Sequence, residues 1–323
     1  MVQSFDRARV VRLLRELEFN SLLARLPQQE AAPAIGGQLS LMGDTGPAFA
    51  GTGKISPEGS YITVDTPEGL DAVVERLSEA PVVVVDVETT SLRPAEARLV
   101  GLALSPGPGV AFYIPLAHQG GPNLDLGLVQ RRLGPILADL TKPKAAHNGN
   151  FDLIVLAEHG LPVENLASDT IIAAYLLGEK ALGLKNLAFN KLGIEMTQIS
   201  ELIGTGSKQL TMDQVPAAKA APYACADADM TARLRETLEE ALHRQGLWDL
   251  YTTVEMPLVP VLVQMERWGV ALDVHLLGQM SREFREKLGE LEVAIYNDAG
   301  HQFNVNSTQQ LGQVLFEQLG LPK

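Results

Sequence analysis

Apolar residues recur every three to four positions from 9 to 26, at Val10, Leu13, Leu14, Leu17, Phe19, Leu22, Leu23 and Leu26. That spacing predicts an amphipathic helix. The pattern stops at Pro27, and residues 27–60, rich in Gly, Pro, Ala, Ser and Thr, read as a flexible linker. GTGK at 51–54 has neither the Walker spacing nor a preceding strand, so it is no phosphate loop. Thr66-Pro67-Glu68-Gly69 then starts a short helix reaching about Leu77. PVVVVDVETTSL (81–92) opens as a buried strand, and ARLVGLALS (97–105) and GVAFYIPL (109–116) form a hairpin across PGPG, so three neighbouring strands are expected. A helical run LGLVQRRLGPILADL, a short strand at PKAAHN and a helix from NFDLIVLAEHG follow. From Asp169 onward only helices are expected, the longest from about Ala217 to Gln245. Strands first and helices after describe an α/β domain over residues 61–246.

Residues 247–323 carry helical patterns throughout. TTVEMPLVPVLVQMERWGV runs to Gly269, Asp273 caps a long helix to about Asp298, and Ser307 caps a last one. These helices have apolar faces with no later element to cover them, so the chain is expected to end inside a domain.

Composition narrows the picture mainly by exclusion. The chain has 323 residues, 46% of them hydrophobic, enough for more than one domain. No apolar run approaches the ~18 residues of a membrane span, and the first residues lack a signal peptide's apolar core. A cytoplasmic setting without membrane contact is the expectation. The single cysteine, Cys225, excludes an internal disulfide framework and a Cys-based zinc site, and the six histidines show no HExxH spacing. A net charge of −13 argues against gripping a polyanion over the whole surface, though not against a local grip.

The candidate chemistry lies in the acids. Asp86 and Glu88, two apart on a strand, point the same way, roughly 7 Å apart along the chain. Asp152 falls at the start of a helix just after a strand. Tyr223 and Asp227, four apart on a helix, lie about 40° apart around its axis and share a face. Asp229 lies well round from that face and is expected to be solvated. Taken singly these residues have plain readings: Asp86 and Glu88 as a polar strand end, Asp152 as a helix N-terminal acid favoured by the dipole, Tyr223 as a core tyrosine. Cys225, between two alanines, is expected to be buried, and His147 to be structural. Lys142, Lys144, Lys180, Lys185 and Lys208 are either solvated or line a strand-binding groove.

DVETTSL, HNGNFD and YACAD, in that order, resemble the three exonuclease motifs of the DEDD superfamily in its tyrosine-containing branch. ELIGTGSKQLTMDQVP followed by YACADADMT is similar, more narrowly, to the proofreading domain of bacterial family A DNA polymerases, the polymerase I family. EMPLVPVLVQMERWGVALD and FNVNSTQQLGQVLFEQLGLP resemble the first helices of that family's thumb. RELEFNSLLARL resembles the tail of its 5′-nuclease domain. The resemblance thus implies residues 1–26 as a 5′-nuclease tail, 27–60 as linker, 61–246 as the 3′→5′ exonuclease and 247–323 as an incomplete thumb.

The implied fold is ribonuclease-H-like, with a mixed sheet whose first three strands form an antiparallel meander, followed by an all-helical thumb segment. Carried over by position, Asp86, Glu88, Asp152 and Asp227 would bind metal, and Tyr223 would orient the attacking water. Leu92 would wedge against the 3′-terminal bases, Thr89 would lie near the terminal 3′-hydroxyl, and Asn148 would lie close to the substrate strand. Asn150 departs from the family, where many relatives have lysine. The implied activity is hydrolysis of 3′-terminal nucleotides from a single-stranded or frayed DNA end by a monomer using two Mg²⁺ ions, with Mn²⁺ able to substitute. The parent would be a DNA polymerase, but without palm or fingers this chain is not expected to polymerise. A free-standing RNA exonuclease of the ribonuclease D type and a non-catalytic scaffold are the alternatives. The chemistry favours such a site independently of the resemblance. Phosphodiester cleavage at neutral pH needs an activated water and a neutralised leaving oxygen, and two divalent ions held by carboxylates supply both.

Overall fold

The computed structural model describes residues 59–322, together with Val10. Of the helix expected over 9–26 only Val10 is described, and it is helical; the linker at 27–60 lies outside the described residues up to residue 58. Two compact units divide at Arg267/Trp268.

The first unit is built on a six-stranded sheet. Its strands are β1 (Ser60–Thr63), β2 (Val83–Thr89), β3 (Leu99–Gly107), β4 (Val110–Pro115), β5 (Lys144–Ala146) and β6 (Leu166–Asp169). Their spatial order is β1-β4-β3-β2-β5-β6. The β2-β3-β4 meander is antiparallel, whereas β1 joins β4, and β5 and β6 extend β2, in parallel. The expected meander is therefore present. β1 and β6 were not expected as strands. β1 is four residues long with three exposed positions, and such a segment has too little apolar alternation to register.

Alternation along β2 sorts its side chains between two layers. Val83 and Val85 join Leu102, Leu104 and Ile114 beneath helices α1 (Pro67–Glu79), α2 (Leu126–Leu137) and α3 (Gly149–Glu158). Val84 points the other way, into a core with Ala103, Tyr113, Ala220, Ala224 and Ala228. Ala220, Ala224 and Ala228 belong to a 29-residue helix, Ala217–Gln245. Their small side chains let that helix lie close against β2, β3 and β4. Asp86 and Glu88 share the parity of Val84, so they face this helix.

Between β6 and the long helix come α4 (Thr170–Leu176), α5 (Leu184–Leu187) and α6 (Ile199–Ile203), which makes the long helix α7. α4 and α5 pack with α7 around Leu153, Ala174, Leu187, Leu234 and Leu238. Trp248–Leu250 (α8) and Met256–Trp268 (α9) follow; Tyr251, Met256 and Val259 are buried in the same core. The second unit holds α10 (Val274–Ala299), capped by Asp273, and α11 (Thr308–Gly312), capped by Ser307. Both caps are those the sequence indicates. α10 buries none of its residues.

Candidate active site

β2 ends where it becomes useful. Glu88 pairs with Gly101 on β3, Thr89 with Leu99, and the register slips between them, a bulge of the kind that re-aims side chains at strand ends. Gly101 is required there, because a Cβ would meet the Tyr113 hydroxyl at 2.0 Å. Tyr113 is in turn fixed by a 2.7 Å hydrogen bond to His118.

Asp152 arrives from the neighbouring strand. After β5 the chain turns through Asn148 in the left-handed conformation (φ 64°) and enters α3 at Gly149, where a Cβ would meet that of Ala146 at 2.8 Å. Asn148 gives α3 no side-chain cap. The buried carboxylate of Asp169 accepts from the backbone N–H groups of Asn148 (3.0 Å), Gly149 (2.7 Å) and Ile171 (3.0 Å) instead. One acid thus caps α3 and α4 together. The Tyr251 hydroxyl accepts from the Asp169 N–H at 2.7 Å and holds that corner in place. Asp152, in the first turn of α3, reaches β2 and accepts from the Val87 N–H at 3.1 Å, between Asp86 and Glu88.

α7 supplies Tyr223 and Asp227, both buried. The four carboxylates form one electrostatic group. Burial foremost, then Asp152, Asp227 and Glu88, raises the Asp86 carboxyl well above its ordinary range. Glu88 is raised by burial and by Asp227. Asp152 is pushed up to about 8 by burial and by the Asp169 charge, against the Val87 N–H. Asp227 rises to about 6 through burial, held back by Lys185 and by the Tyr223 hydroxyl. The phenol of Tyr223 is raised by burial and by Asp227, and so stays neutral. Burial lowers His147 to about 4, leaving it neutral and bonded to the Thr170 hydroxyl at 2.8 Å.

The other expected residues stand around this group. The Thr89 hydroxyl donates to the Ser91 carbonyl at 2.9 Å. Leu92 is 93% exposed. Asn148 is exposed at the start of α3, while Asn150 turns away to donate to Glu266 on α9 at 2.7 Å. Two expectations need correction. Asp229 is 0% exposed rather than solvated, because α7 turns it toward Tyr61 and Gly109, whose hydroxyl and N–H donate to it at 2.8 and 2.6 Å. Lys144 is fully buried on β5 with its ammonium on the Asp139 carbonyl, and Lys142 donates to Ser78 and Ala80 carbonyls at the end of α1. Lys185 lies among the acids: its ammonium donates to the Tyr223 oxygen at 2.6 Å and stands 3.6 Å from Asp227 Oδ2. Neither Asp169 nor Lys185 is marked as a site residue by sequence spacing, although an Asp-Thr pair before a helix does announce a cap.

The site's fit to a divalent metal can be judged from its donors. All four are carboxylate oxygens, the set hard cations prefer. Asp227 Oδ1 is buried without a hydrogen-bond partner, a costly arrangement unless something binds it. Among the described residues, no three His, Cys, Asp or Glu side chains already close around one point. The group fits a metal in chemistry and charge without being a finished cage.

Residues 61–243 match the family described as 3′-5′ exonuclease, and residues 274–323 match DNA polymerase family A. DNA polymerase I of Chloroflexus aurantiacus is 40% identical over 98% of this chain and 36% of the relative. That of Pseudomonas aeruginosa is 39% identical over 98% of this chain and 34% of the relative. The chain thus spans about a third of the length of these curated relatives. A solved structure, the POL domain of Pol1 from M. smegmatis in complex with DNA primer-template and dNTP, is 27% identical. It has a TM-score of 0.63 and covers 81% of this chain and 41% of that one. Membership implies dependence on a divalent metal, and no helix among the described residues is long and apolar enough to cross a membrane. With more than half of its length inside that match, the chain belongs to the 3′-5′ exonuclease family of family A DNA polymerases.

Proposed function

We propose that the chain removes nucleotides one at a time from the 3′ end of DNA, as the proofreading activity of a polymerase I type enzyme acting in replication and repair. The observation that supports this most directly is the meeting of Asp86, Glu88, Asp152 and Asp227 in one electrostatic group, with a buried oxygen of Asp227 left without a partner. In the reaction a water oxygen bonds to the terminal phosphorus and the bond from phosphorus to the preceding 3′-oxygen breaks. The leaving oxygen gains a proton, and a nucleoside 5′-monophosphate departs.

Asp86, Glu88, Asp152 and Asp227 would hold two Mg²⁺ ions, which when bound supply the activated water and the neutralisation of the leaving oxygen. The chain's own residues do the rest. Tyr223 stays neutral, and its hydroxyl orients the attacking water. Val87 N–H fixes the rotamer of Asp152. The Asp169 cap sets the entry angle of α3. Leu92, Thr89 and Asn148 receive the terminal nucleotides of a single-stranded or frayed end, whose bases can splay around side chains. A monomer suffices for this work.

The test is mononucleotide release from a 5′-labelled DNA single strand with Mg²⁺. Asp86→Ala should lose activity on the order of 10³-fold, since a metal is worth several kcal/mol to the transition state. Unchanged turnover in that variant would remove the acids from the mechanism, and faster digestion of a matching RNA would reassign the substrate.

A further inference from the structure

Lys185 has no part in the chemistry above, yet it occupies a telling position. Its ammonium lies 2.6 Å from the Tyr223 oxygen, 4.0 Å from that ring's centre and 3.6 Å from Asp227 Oδ2. Its charge also reaches Asp86 and Glu88, on the facing strand. The side chain is only 19% exposed. Lys142 and Lys144 end on backbone carbonyls at the C-terminal ends of α1 and α2, whereas Lys185 ends on side chains. A long, flexible cation reaches a place where several buried carboxylates meet.

We propose that Lys185 is a displaceable internal cation, which stands in for positive charge beside Asp227 and Tyr223 and is driven off when a divalent ion binds there. The argument is electrostatic and geometric. Four carboxylates gathered in a poorly solvated site repel one another, and an ammonium at contact distance offsets part of that repulsion. Lysine suits the task better than arginine, being a compact point charge on a flexible stem that can swing away. Its contact with Asp227 Oδ2, at 3.6 Å, is long for an ion pair and leaves Asp227 Oδ1 bare. A divalent ion bound by Asp227 would face the ammonium across a few ångströms, and like charges at that range cannot both stay. Lys185 therefore competes with the metal. It lowers the affinity of the site while keeping the metal-free chain folded, and it couples metal arrival to release of the Tyr223 oxygen from its donor. This inference rests on the reading of the acids as the metal site.

Two measurements on the full chain, neither of them activity, test it. First, acylation of lysines by a small anhydride is read by peptide mass spectrometry with and without Mn²⁺, using exposed Lys208 and Lys219 as internal references. Labelling of Lys185 should rise severalfold on adding Mn²⁺; unchanged or reduced labelling overturns the proposal. Second, Mn²⁺ is titrated calorimetrically at pH 8.5 into the chain, Lys185→Met and Lys185→Arg. Removing a unit charge at this distance should tighten binding about tenfold in Lys185→Met, while Lys185→Arg, which keeps the charge on a less displaceable group, should not tighten it. Equal or weaker binding in Lys185→Met overturns the proposal and leaves the metal site standing. Absence of Mn²⁺ binding in the unaltered chain overturns both. Should Lys185→Met fail to fold, the labelling result decides alone.

Discussion

Asp227 and Asp229 stand two residues apart on α7, and the helix turns them about 200° from one another. Both are buried, at 9% and 0% exposure. Asp229 accepts from the Tyr61 hydroxyl, the Gly109 N–H and two nitrogens of Arg233, so it ties β1 and the β3-β4 turn to the helix. Asp227 acts on the like charges of Asp86 and Glu88 and has one oxygen with no partner. A buried carboxylate whose bonds are complete belongs to the architecture. One left incomplete among like charges costs stability and is explained by what binds to it. Burial and residue type are the same in both; saturation separates them.

The sharpest way to break this comparison is to remove each charge in turn. Asp227→Asn should lose exonuclease activity on the order of 10³-fold, with metal-free stability unchanged or raised because repulsion is relieved. Asp229→Asn should lose about 2 kcal/mol of stability, since Arg233 is left half-paired in a partly solvated place, while the folded molecules keep their activity. Urea denaturation and nucleotide release, run side by side on both variants, measure the two quantities. If the variants lose activity and stability in the same proportion, the distinction between them is gone.

A smaller effect follows from pH. The fold favours the protonated form of Asp152, which sits at about 8 rather than 3.8, so the associated stability is complete below the ordinary value and is lost as pH rises through about 8. The contribution of Asp227 is spent earlier, near 6. His147, lowered to about 4, works in the opposite sense but only below its ordinary 6.5. Between pH 6.5 and 8.5 the metal-free chain should therefore lose about 1–2 kcal/mol, read from urea midpoints. Millimolar Mg²⁺ should flatten that slope and Asp152→Asn should reduce it, Asp86 and Glu88 being raised as well, whereas Asp229→Asn should leave it intact. A pH-independent midpoint in the metal-free chain would mean that Asp152 is not held raised by burial and the Asp169 charge.

Much of this was legible in the sequence because it is carried by local pattern. Four valines, a Pro-Gly turn and two apolar runs specify the β2-β3-β4 meander. Caps at Asp273 and Ser307 specify helix starts, and the parity of Asp86 with Glu88 specifies a shared face. What escaped depends on distant partners. β1 is an exposed edge segment that forms against β4, and β6 is four residues completed by β5. Asp229 could not be told from a surface acid until β1 and the β3-β4 turn were in place around it. Lys185 lies 38 residues before Tyr223, and only folding brings it to the acids. Periodicity tells which face a residue takes, not what will stand opposite.

The finest test of the comparison concerns an apolar residue that is as exposed as Asp229 is buried. A lone exposed leucine needs no explanation in general. Leu92, however, sits on a braced loop. Thr90 N–H donates to the Arg98 carbonyl at 3.1 Å and the Thr90 hydroxyl accepts from Arg98 N–H at 3.0 Å. The Ser91 hydroxyl accepts from Arg93 N–H at 3.1 Å. The backbone is held while the side chain at its crest touches almost nothing, four residues beyond Glu88. Truncating it should therefore cost less than about 0.5 kcal/mol of stability. Contact with a splayed base would be lost, raising KM for a DNA single strand by about threefold, below the full value of aromatic stacking. Turnover at saturating DNA and Mn²⁺ affinity should stay as they were, since the acids are untouched. A Leu92→Ala chain with unchanged KM would return Leu92 to the ordinary surface. A fall in turnover instead would place the side chain closer to the scissile bond than to the bases.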